Sequence, residues 1–91
     1  MIVRLLGEGQ FRVDDGLVGR LNELDDTIGH AVQANDERAL WDGLAALAAE
    51  VRAQGTKLRD DELVPSDAVI PPEDLTLDEA RELMSDSGFI P

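Results

Sequence analysis

The N-terminal residues alternate between apolar and polar side chains, which is the pattern of strands with one buried face. Two short apolar runs, residues 2–6 and 10–13, are separated by Gly7-Glu8-Gly9. Connections that contain glycine and have this length are typical of β-hairpins when apolar runs flank them. We therefore predict a two-stranded antiparallel hairpin at the N-terminus.

The composition of the turn predicts the register of this hairpin. A two-residue turn at Glu8-Gly9 would place Arg4 on the same face as Phe11, whereas a three-residue turn over residues 7–9 groups the apolar side chains on one face. We therefore predict the three-residue turn. Its pairs are Val3 with Val13, Leu5 with Phe11, and Arg4 with Arg12. Because a lone hairpin is marginal in water, helices must cover its apolar face.

Helical periodicity follows the hairpin. After Asp14 and Asp15, which suit a helix N-terminus, apolar residues recur at helical spacing over residues 15–34. Asn35-Asp36 interrupts this helix and starts a second one, for which Gly55 is the natural stop. The stripes consist of Leu17, Leu21, Leu24, Ile28 and Val32 in the first helix and of Leu40, Leu44, Leu47 and Val51 in the second. The short connection predicts an antiparallel helix pair.

The pattern changes in the last third of the chain. Prolines prevent a continuous helix over residues 56–75. This stretch is too apolar for a free linker, so we expect it to cross the core as a strap or to add a short strand. Thr76 and Glu79 match a capping box that begins a third, short helix, and Gly88 would end it. The apolar pair Phe89-Ile90 is expected to pack against the core.

These elements predict an α+β fold. An N-terminal two-stranded β-hairpin packs on an antiparallel helix pair, and a short C-terminal helix completes the structure. Residues 1–91 are expected to form one domain, because domains usually contain about 50 to 250 residues.

Charge narrows the range of partners. The formal net charge is -12, and residues 60–86 contain ten acidic side chains and one basic side chain, a net charge of -9. Nucleic acids and anionic membranes select clustered Lys and Arg, so direct binding to either is not expected. The chain contains no cysteine, which excludes a disulfide framework. Neither a signal peptide nor a membrane span is predicted, so we expect a cytoplasmic protein.

The sequence offers no arrangement typical of catalysis. His30, the single histidine, lies on the polar side of the first helix, and the serines match no nucleophile motif. Adjacent carboxylates such as Asp25-Asp26 lack the alternating spacing of a calcium loop and are assigned to capping and solvation. We predict no catalytic residue, cofactor or metal site, and hence no enzyme. Trp41 is either a core residue or an aromatic anchor for a partner.

The polar face of the hairpin combines like charges with apolar residues. In the predicted register Arg4 lies opposite Arg12, beside Ile2 and Leu6, and like charges in opposite positions destabilise a strand pair. We therefore hypothesise that this face is covered. The cover is either the acidic segment 60–67 or a second copy or partner that pairs along an exposed edge of the hairpin, which would make a homodimer. Two arginines splayed into water are the alternative.

Several stretches together resemble a known family. They are residues 1–13 (MIVRLLGEGQFRV), 60–67 (DDELVPSD), Pro71-Pro72 and 85–91 (SDSGFIP). Across the whole chain they resemble the small PspA-associated (PspAA) family of the bacterial phage-shock envelope-stress response. The resemblance implies a non-enzymatic accessory protein linked to PspA, a helical membrane-associated scaffold. None of the stretches is a catalytic motif, so no catalytic residue is carried over.

The residues and the resemblance together predict a function. We expect an acidic interaction module that binds or regulates a PspA-like scaffold and reaches the membrane only through it. Charge would steer the encounter, and a few anchors would fix the complex. The candidate partner-binding residues are Arg4, Arg12, Trp41, Asp60, Asp61, Glu62 and Asp67. The alternatives are an anionic decoy that mimics nucleic acid and inhibits a basic protein, and a small enzyme, for which a base and a nucleophile are lacking.

Overall fold

The computed structural model describes residues 1–62, 64–84 and 89–90. The α+β class predicted from the sequence is confirmed, with an N-terminal hairpin, two long helices and a short C-terminal helix. The strands are β1 (Ile2–Leu5), β2 (Gly9–Arg12), β3 (Thr56–Lys57) and β4 (Ala68–Ile70). The helices are α1 (Val18–Gln33), α2 (Glu37–Gln54) and α3 (Leu77–Leu83), and a 3-10 turn (Asp15–Leu17) precedes α1.

The hairpin forms the centre of a mixed four-stranded sheet with the order β3-β2-β1-β4. β3 pairs antiparallel with β2, and β4 pairs parallel with β1. The segment after α2 therefore supplies both outer strands, so both edges of the hairpin are occupied. A second copy that paired along an edge of this sheet, one of the covers considered for the hairpin, would therefore contact β3 or β4 and not the hairpin strands themselves.

The predicted register of the hairpin is wrong by two residues. The observed pairs are Ile2 with Arg12, Val3 with Phe11, Arg4 with Gln10, and Leu5 with Gly9. The turn contains Leu6-Gly7-Glu8, and the Glu8 amide donates to the Leu5 carbonyl at 3.0 Å. Both Gly7 (φ 87°) and Gly9 (φ 121°) have positive φ, which favours glycine. Because the shift is even, every side chain stays on its predicted face, but Arg4 does not lie opposite Arg12.

The core lies between the inner face of the sheet and the two long helices. Val3, Leu5, Phe11 and Val13 are buried together, as predicted from their alternation. The α2 stripe of Leu40, Leu44, Leu47 and Val51 is fully buried. In the stripe predicted for the first helix, Leu21 and Ile28 are fully buried, and Leu24, Val32 and Leu17, which lies in the 3-10 turn, are partly buried. The two antiparallel helices α1 and α2 cross closely at Gly43, where a Cβ would lie 2.8 Å from Ile28 Cγ1.

The helix ends show which capping predictions hold. Asn35 has a φ of 55°, and the Asp36 carboxylate accepts from the Ala39 amide at 3.0 Å, so this pair ends α1 and caps α2 as predicted. Asp14 occupies the N-cap position of the 3-10 turn that precedes α1, but its side chain makes no cap hydrogen bond.

Gly55 ends α2, but not through a left-handed conformation. Its φ is -86° and its ψ is 166°, which any residue can adopt. Glycine is required for space, because a Cβ would lie 2.6 Å from the Val51 carbonyl oxygen and 3.3 Å from Phe11 Cβ. The absence of a side chain at position 55 therefore allows the chain to continue from α2 into β3 in close contact with the hairpin.

The third helix has the predicted capping box between Thr76 and Glu79. Ala80 is buried, whereas Leu83 at the end of the helix is 58% exposed. The helix ends at Leu83, and Gly88, predicted to end it, lies outside the described residues. Phe89 and Ile90 are buried, as expected. Among the described residues, no helix is long and apolar enough to cross a bilayer.

Candidate interaction surface

The outer face of the sheet, which points away from α1 and α2, carries the polar residues of the hairpin. A short segment of residues 58–62 and 64–66, which we call the strap, lies across part of it. Gln10 donates from Nε2 to the Val64 carbonyl and to Ser66 Oγ, both at 2.8 Å, and is only 8% exposed. The hypothesis of an intramolecular cover is therefore correct at Gln10. Arg4 and Arg12 remain exposed.

The strap and the outer face enclose an open cavity of about 420 Å³. Three of the predicted partner-binding residues, Arg4, Asp60 and Glu62, meet in its wall, although they come from distant parts of the chain. The remaining wall is formed by Gly9, Gln10, Leu58, Arg59 and Val64. The cavity thus combines both charges with two apolar side chains, and its opening faces solvent.

The acidic residues of the strap are held mainly by their neighbour Arg59. Its Nε lies 3.2 Å from Asp61 Oδ1 and 3.7 Å from Glu62 Oε1, and the Glu62 amide donates to the Arg59 carbonyl at 3.1 Å. Asp60 and Asp61 are exposed. The strap is therefore a tight turn that presents carboxylates to solvent.

Asp67 has a structural position between two strands. Its Oδ2 accepts from the Ile2 amide, and its own amide donates to the Ile2 carbonyl, both at 2.7 Å. These two bonds attach the start of β4 to the start of β1. Arg12 and Trp41 do not line the cavity. Trp41 is half-buried on α2, packs against the core and donates from Nε1 to the Leu75 carbonyl at 2.7 Å.

Leu6 lines a second cavity of about 330 Å³ near the turn of the hairpin, and Leu5 and Ala48 form part of the same wall. The apolar wall of this cavity includes Ile70 and Pro71, and its acidic residues are Glu8, Glu73 and Asp74. Arg52, from the end of α2, donates to both carboxylate oxygens of Glu8 at 2.7 and 2.6 Å. These hydrogen bonds lower the pKa of Glu8. The pair joins residues 44 positions apart, and the sequence contains no signal for it.

Asp25 has a structural role that differs from the solvation predicted for it. This carboxylate is 4% exposed and accepts from the Phe89 amide at 3.0 Å and the Ile90 amide at 2.9 Å. Burial raises its pKa, although both hydrogen bonds act in the opposite direction. Its position offered a signal, because it lies four residues after Leu21 and three before Ile28, on the apolar stripe itself. Asp25 attaches the C-terminal segment to α1 and is not a solvated residue.

The described residues contain no cluster of three or more His, Asp or Glu side chains that could hold a metal ion. Comparison of the chain with curated proteins and with solved structures gives no match. The family model described as PspA-Associated protein (PspAA) matches residues 1–91, which is the whole chain. The name of this family indicates association with PspA. The chain belongs to the PspAA family of PspA-associated proteins.

Proposed function

We propose that this protein is a non-enzymatic, cytoplasmic interaction module that binds or regulates a PspA-like helical scaffold. Residues 1–91 act as one domain, and contact with the membrane is indirect, through the scaffold. Membership of a family of PspA-associated proteins supports this proposal. The outer face of the sheet, including the strap, is the surface that contacts the scaffold.

One observation supports the outer face of the sheet as the contact surface. The cavity below the strap brings Arg4, Asp60 and Glu62 together, at a place where the helices do not cover the sheet. Charged groups at an open, partly apolar surface can pair with charges of a partner, and the apolar atoms contribute area when water is excluded. The inner face of the sheet cannot serve in this way, because α1 and α2 bury it.

The net charge of -12 supports a partner with basic residues. Exposed carboxylates of the strap would attract Lys and Arg side chains and accelerate the encounter. The decoy alternative gains no comparable support, since a nucleic-acid mimic needs a row of free acids. Several acids of this chain are used internally: Asp25 and Asp67 bond backbone amides, and Asp36 and Glu79 cap helices.

The test is the rate of association with the PspA-like protein of the same organism, measured by biolayer interferometry at several salt concentrations. The variant D60N/D61N/E62Q should slow association by about threefold to tenfold at low salt, because steering depends on exposed charge. The far-UV circular dichroism should stay unchanged, since these carboxylates are exposed or half-buried.

A matched control removes three charges from the helices. The variant D26N/E50Q/E82Q changes the net charge equally, but its sites lie on α1, α2 and α3. It should slow association less than the strap variant. Equal effects of the two variants would exclude the strap as the contact site, and a wild-type protein that does not bind the scaffold would overturn the proposed function.

A further inference from the structure

A concave site lies at the end of the sheet where the hairpin turns. It is the second cavity, with a volume of about 330 Å³. Three elements form it: the hairpin turn with Leu6, the C-terminal half of α2 with Ala48 and Arg52, and the segment after β4 with Pro72. It shares no lining residue with the cavity below the strap. The two cavities are therefore different candidate sites.

Most of the wall of the second cavity is apolar. Six of its ten lining residues are apolar: Leu5, Leu6, Ala48, Ile70, Pro71 and Pro72. Leu6 is 45% exposed, and Pro72 is also exposed. Because a proline ring fixes φ, the part of the wall formed by the two prolines is in place before a ligand enters. A group that covered Leu6 and Pro72 would remove apolar surface from water.

The charges of this wall do not balance. Three carboxylates and one guanidinium line the second cavity, a net charge of -2, whereas the first cavity has two arginines and two acids and is neutral. Arg52 donates to both carboxylate oxygens of Glu8 and neutralises it. Within the described part of the chain, neither Glu73 nor Asp74 forms an ion pair. These two acids therefore carry the unbalanced charge.

The effect of Glu73 on Arg52 shows that Glu73 acts within this site. The hydrogen bonds to Glu8 are the largest cause of the raised pKa of Arg52, and the charge of Glu73 contributes in the same direction. The Glu73 carboxylate is thus close enough to act on a cation in the cavity. Asp74 follows it directly in the chain and lines the same wall.

This combination suits a long apolar chain that ends in a cation. An anion would be repelled by the excess of carboxylates, and an uncharged apolar ligand would displace their water without replacing it. A metal ion needs more ligands, and the described residues contain no cluster of three acids or histidines that could hold one. Lys and Arg side chains have the required form, since their methylene groups pack on apolar surface while the charged end stays near water.

We propose that the second cavity receives one Lys or Arg side chain of the scaffold. Its methylene groups pack on Leu6 and Pro72, and its charged end pairs with Glu73 and Asp74. The cavity volume of about 330 Å³ is near the lower limit for small-ligand pockets, about 300 Å³, and suits a single long side chain. The inference rests on the proposed function, because the scaffold supplies the basic residue. It adds an anchor at the hairpin turn to the contact at the strap.

Two charge variants test the acids of the cavity. E73Q/D74N removes the unbalanced charge, and D26N/E82Q removes the same charge from exposed sites on α1 and α3 that do not line the cavity. Affinity is measured by titration calorimetry with the full scaffold. We expect E73Q/D74N to weaken binding by about fivefold to tenfold and D26N/E82Q by less than about twofold. Equal weakening by both variants would overturn the inference and leave the proposed function standing.

Two leucine variants test the apolar wall in the same assay. L6S reduces the apolar surface of the cavity, and L83S makes the same change on α3, at a leucine that is 58% exposed. We expect L6S to weaken binding by about threefold, because less apolar area is buried, and L83S to leave the affinity unchanged. Both positions are exposed, so the melting temperature verifies that each variant folds. An affinity that L6S does not change would overturn the inference.

Amino-acid derivatives test the cavity without the scaffold. Acetyl-arginine amide and acetyl-lysine amide are titrated into ¹⁵N-labelled protein, with acetyl-citrulline amide and acetyl-norleucine amide as neutral counterparts of similar shape. In NMR spectra the two cations should shift the amide signals of Leu6, Glu73 and Asp74 more strongly than the neutral compounds do, and E73Q/D74N should abolish this difference. Equal shifts at residues 60–62 would indicate a general attraction to acids and overturn the inference.

The two kinds of measurement separate this inference from the proposed function. If the wild-type protein does not bind the scaffold, the proposed function is wrong and the scaffold is not the source of the side chain, whereas shifts selective for the cations would still locate a site for basic side chains in the cavity. If the scaffold binds but neither cation shifts the cavity signals, the inference is wrong and the proposed function stands.

Discussion

At the scale of single residues, Asp25 shows how a carboxylate can serve as a backbone acceptor in a core. Two amide donors, from Phe89 and Ile90, replace the water that burial removes. Without an acceptor these amides would remain unsatisfied, which costs about 1–3 kcal/mol each. The two apolar side chains of the C-terminal segment can then stay in the core.

The pH dependence of stability tests this role. Burial raises the pKa of Asp25, so the folded protein keeps a proton on this carboxyl at pH values where the unfolded chain has lost it. The contribution of Asp25 to the free energy of unfolding therefore falls as the pH rises from about 4 through the raised pKa. Asp25→Asn loses one acceptor and should be less stable by about 1–3 kcal/mol. The difference in the free energy of unfolding between wild type and Asp25→Asn, measured by urea unfolding, should become smaller as the pH rises from 4 to 7.

Asp26→Asn is the control for the lost charge. Asp26 is the exposed neighbour of Asp25, and its substitution should change the free energy of unfolding by less than about 0.5 kcal/mol. If the difference between wild type and Asp25→Asn widens as the pH rises, the stated effect of burial on Asp25 is wrong.

At the scale of elements, the crossing of α1 and α2 depends on one glycine. Gly43 faces Ile28 so closely that a Cβ would lie 2.8 Å from its Cγ1. Ile28 is fully buried and cannot move away freely. Glycine lowers the stability of a helix interior by about 0.5–1 kcal/mol relative to alanine, yet here it permits the close packing of two helices.

Two glycine substitutions should therefore have opposite effects. Gly43→Ala should destabilise the protein by about 1–3 kcal/mol, because overpacking at the crossing exceeds the gain in helix propensity. Gly19→Ala, in α1 with no atom within 4 Å of the new Cβ, should be neutral or stabilising by up to about 1 kcal/mol. Thermal unfolding followed by circular dichroism measures both. A stabilised Gly43→Ala variant would mean that the helices are farther apart than described.

At the scale of the whole molecule, the excess of negative charge opposes compact folding. The chain has 20 acidic and 8 basic residues, and the ion pairs that it forms are largely exposed. Exposed pairs contribute little to stability. We therefore expect repulsion among the remaining carboxylates to exceed the attraction within these pairs.

Added salt should accordingly stabilise the isolated protein while it weakens binding to the scaffold. Between about 0.01 M and 0.15 M NaCl the screening length falls from about 30 Å to about 8 Å. We expect the melting temperature to rise over this range at pH 7, because salt weakens the repulsion among the carboxylates more than it weakens the attraction within the few ion pairs. A melting temperature that falls with salt would mean that pairs such as Arg52–Glu8 outweigh the repulsion.

The sequence by itself determined the features that depend on near neighbours. Alternation placed Val3, Leu5, Phe11 and Val13 on one face, helical spacing located the two long helices, and short-range hydrogen bonding located the caps at Asp36 and Thr76. The residues that would meet in the candidate surface, Arg4 and the acids of the strap, were also selected from the sequence. The first three of these features involve side chains a few residues apart or a simple repeating period. Arg4 and the acids of the strap, by contrast, are distant in the chain, and only the tertiary structure brings Arg4, Asp60 and Glu62 to one cavity wall.

Only the tertiary structure decided which distant segments meet. The hairpin register shifted by two residues because both possibilities keep the same faces, and alternation cannot distinguish them. The outer strands, the contact of Gln10 with the strap and the bonds of Asp25 to residues 89–90 join positions from 44 to 65 residues apart. Such contacts form because each buried polar group needs a partner within about 3 Å, wherever in the chain that partner lies.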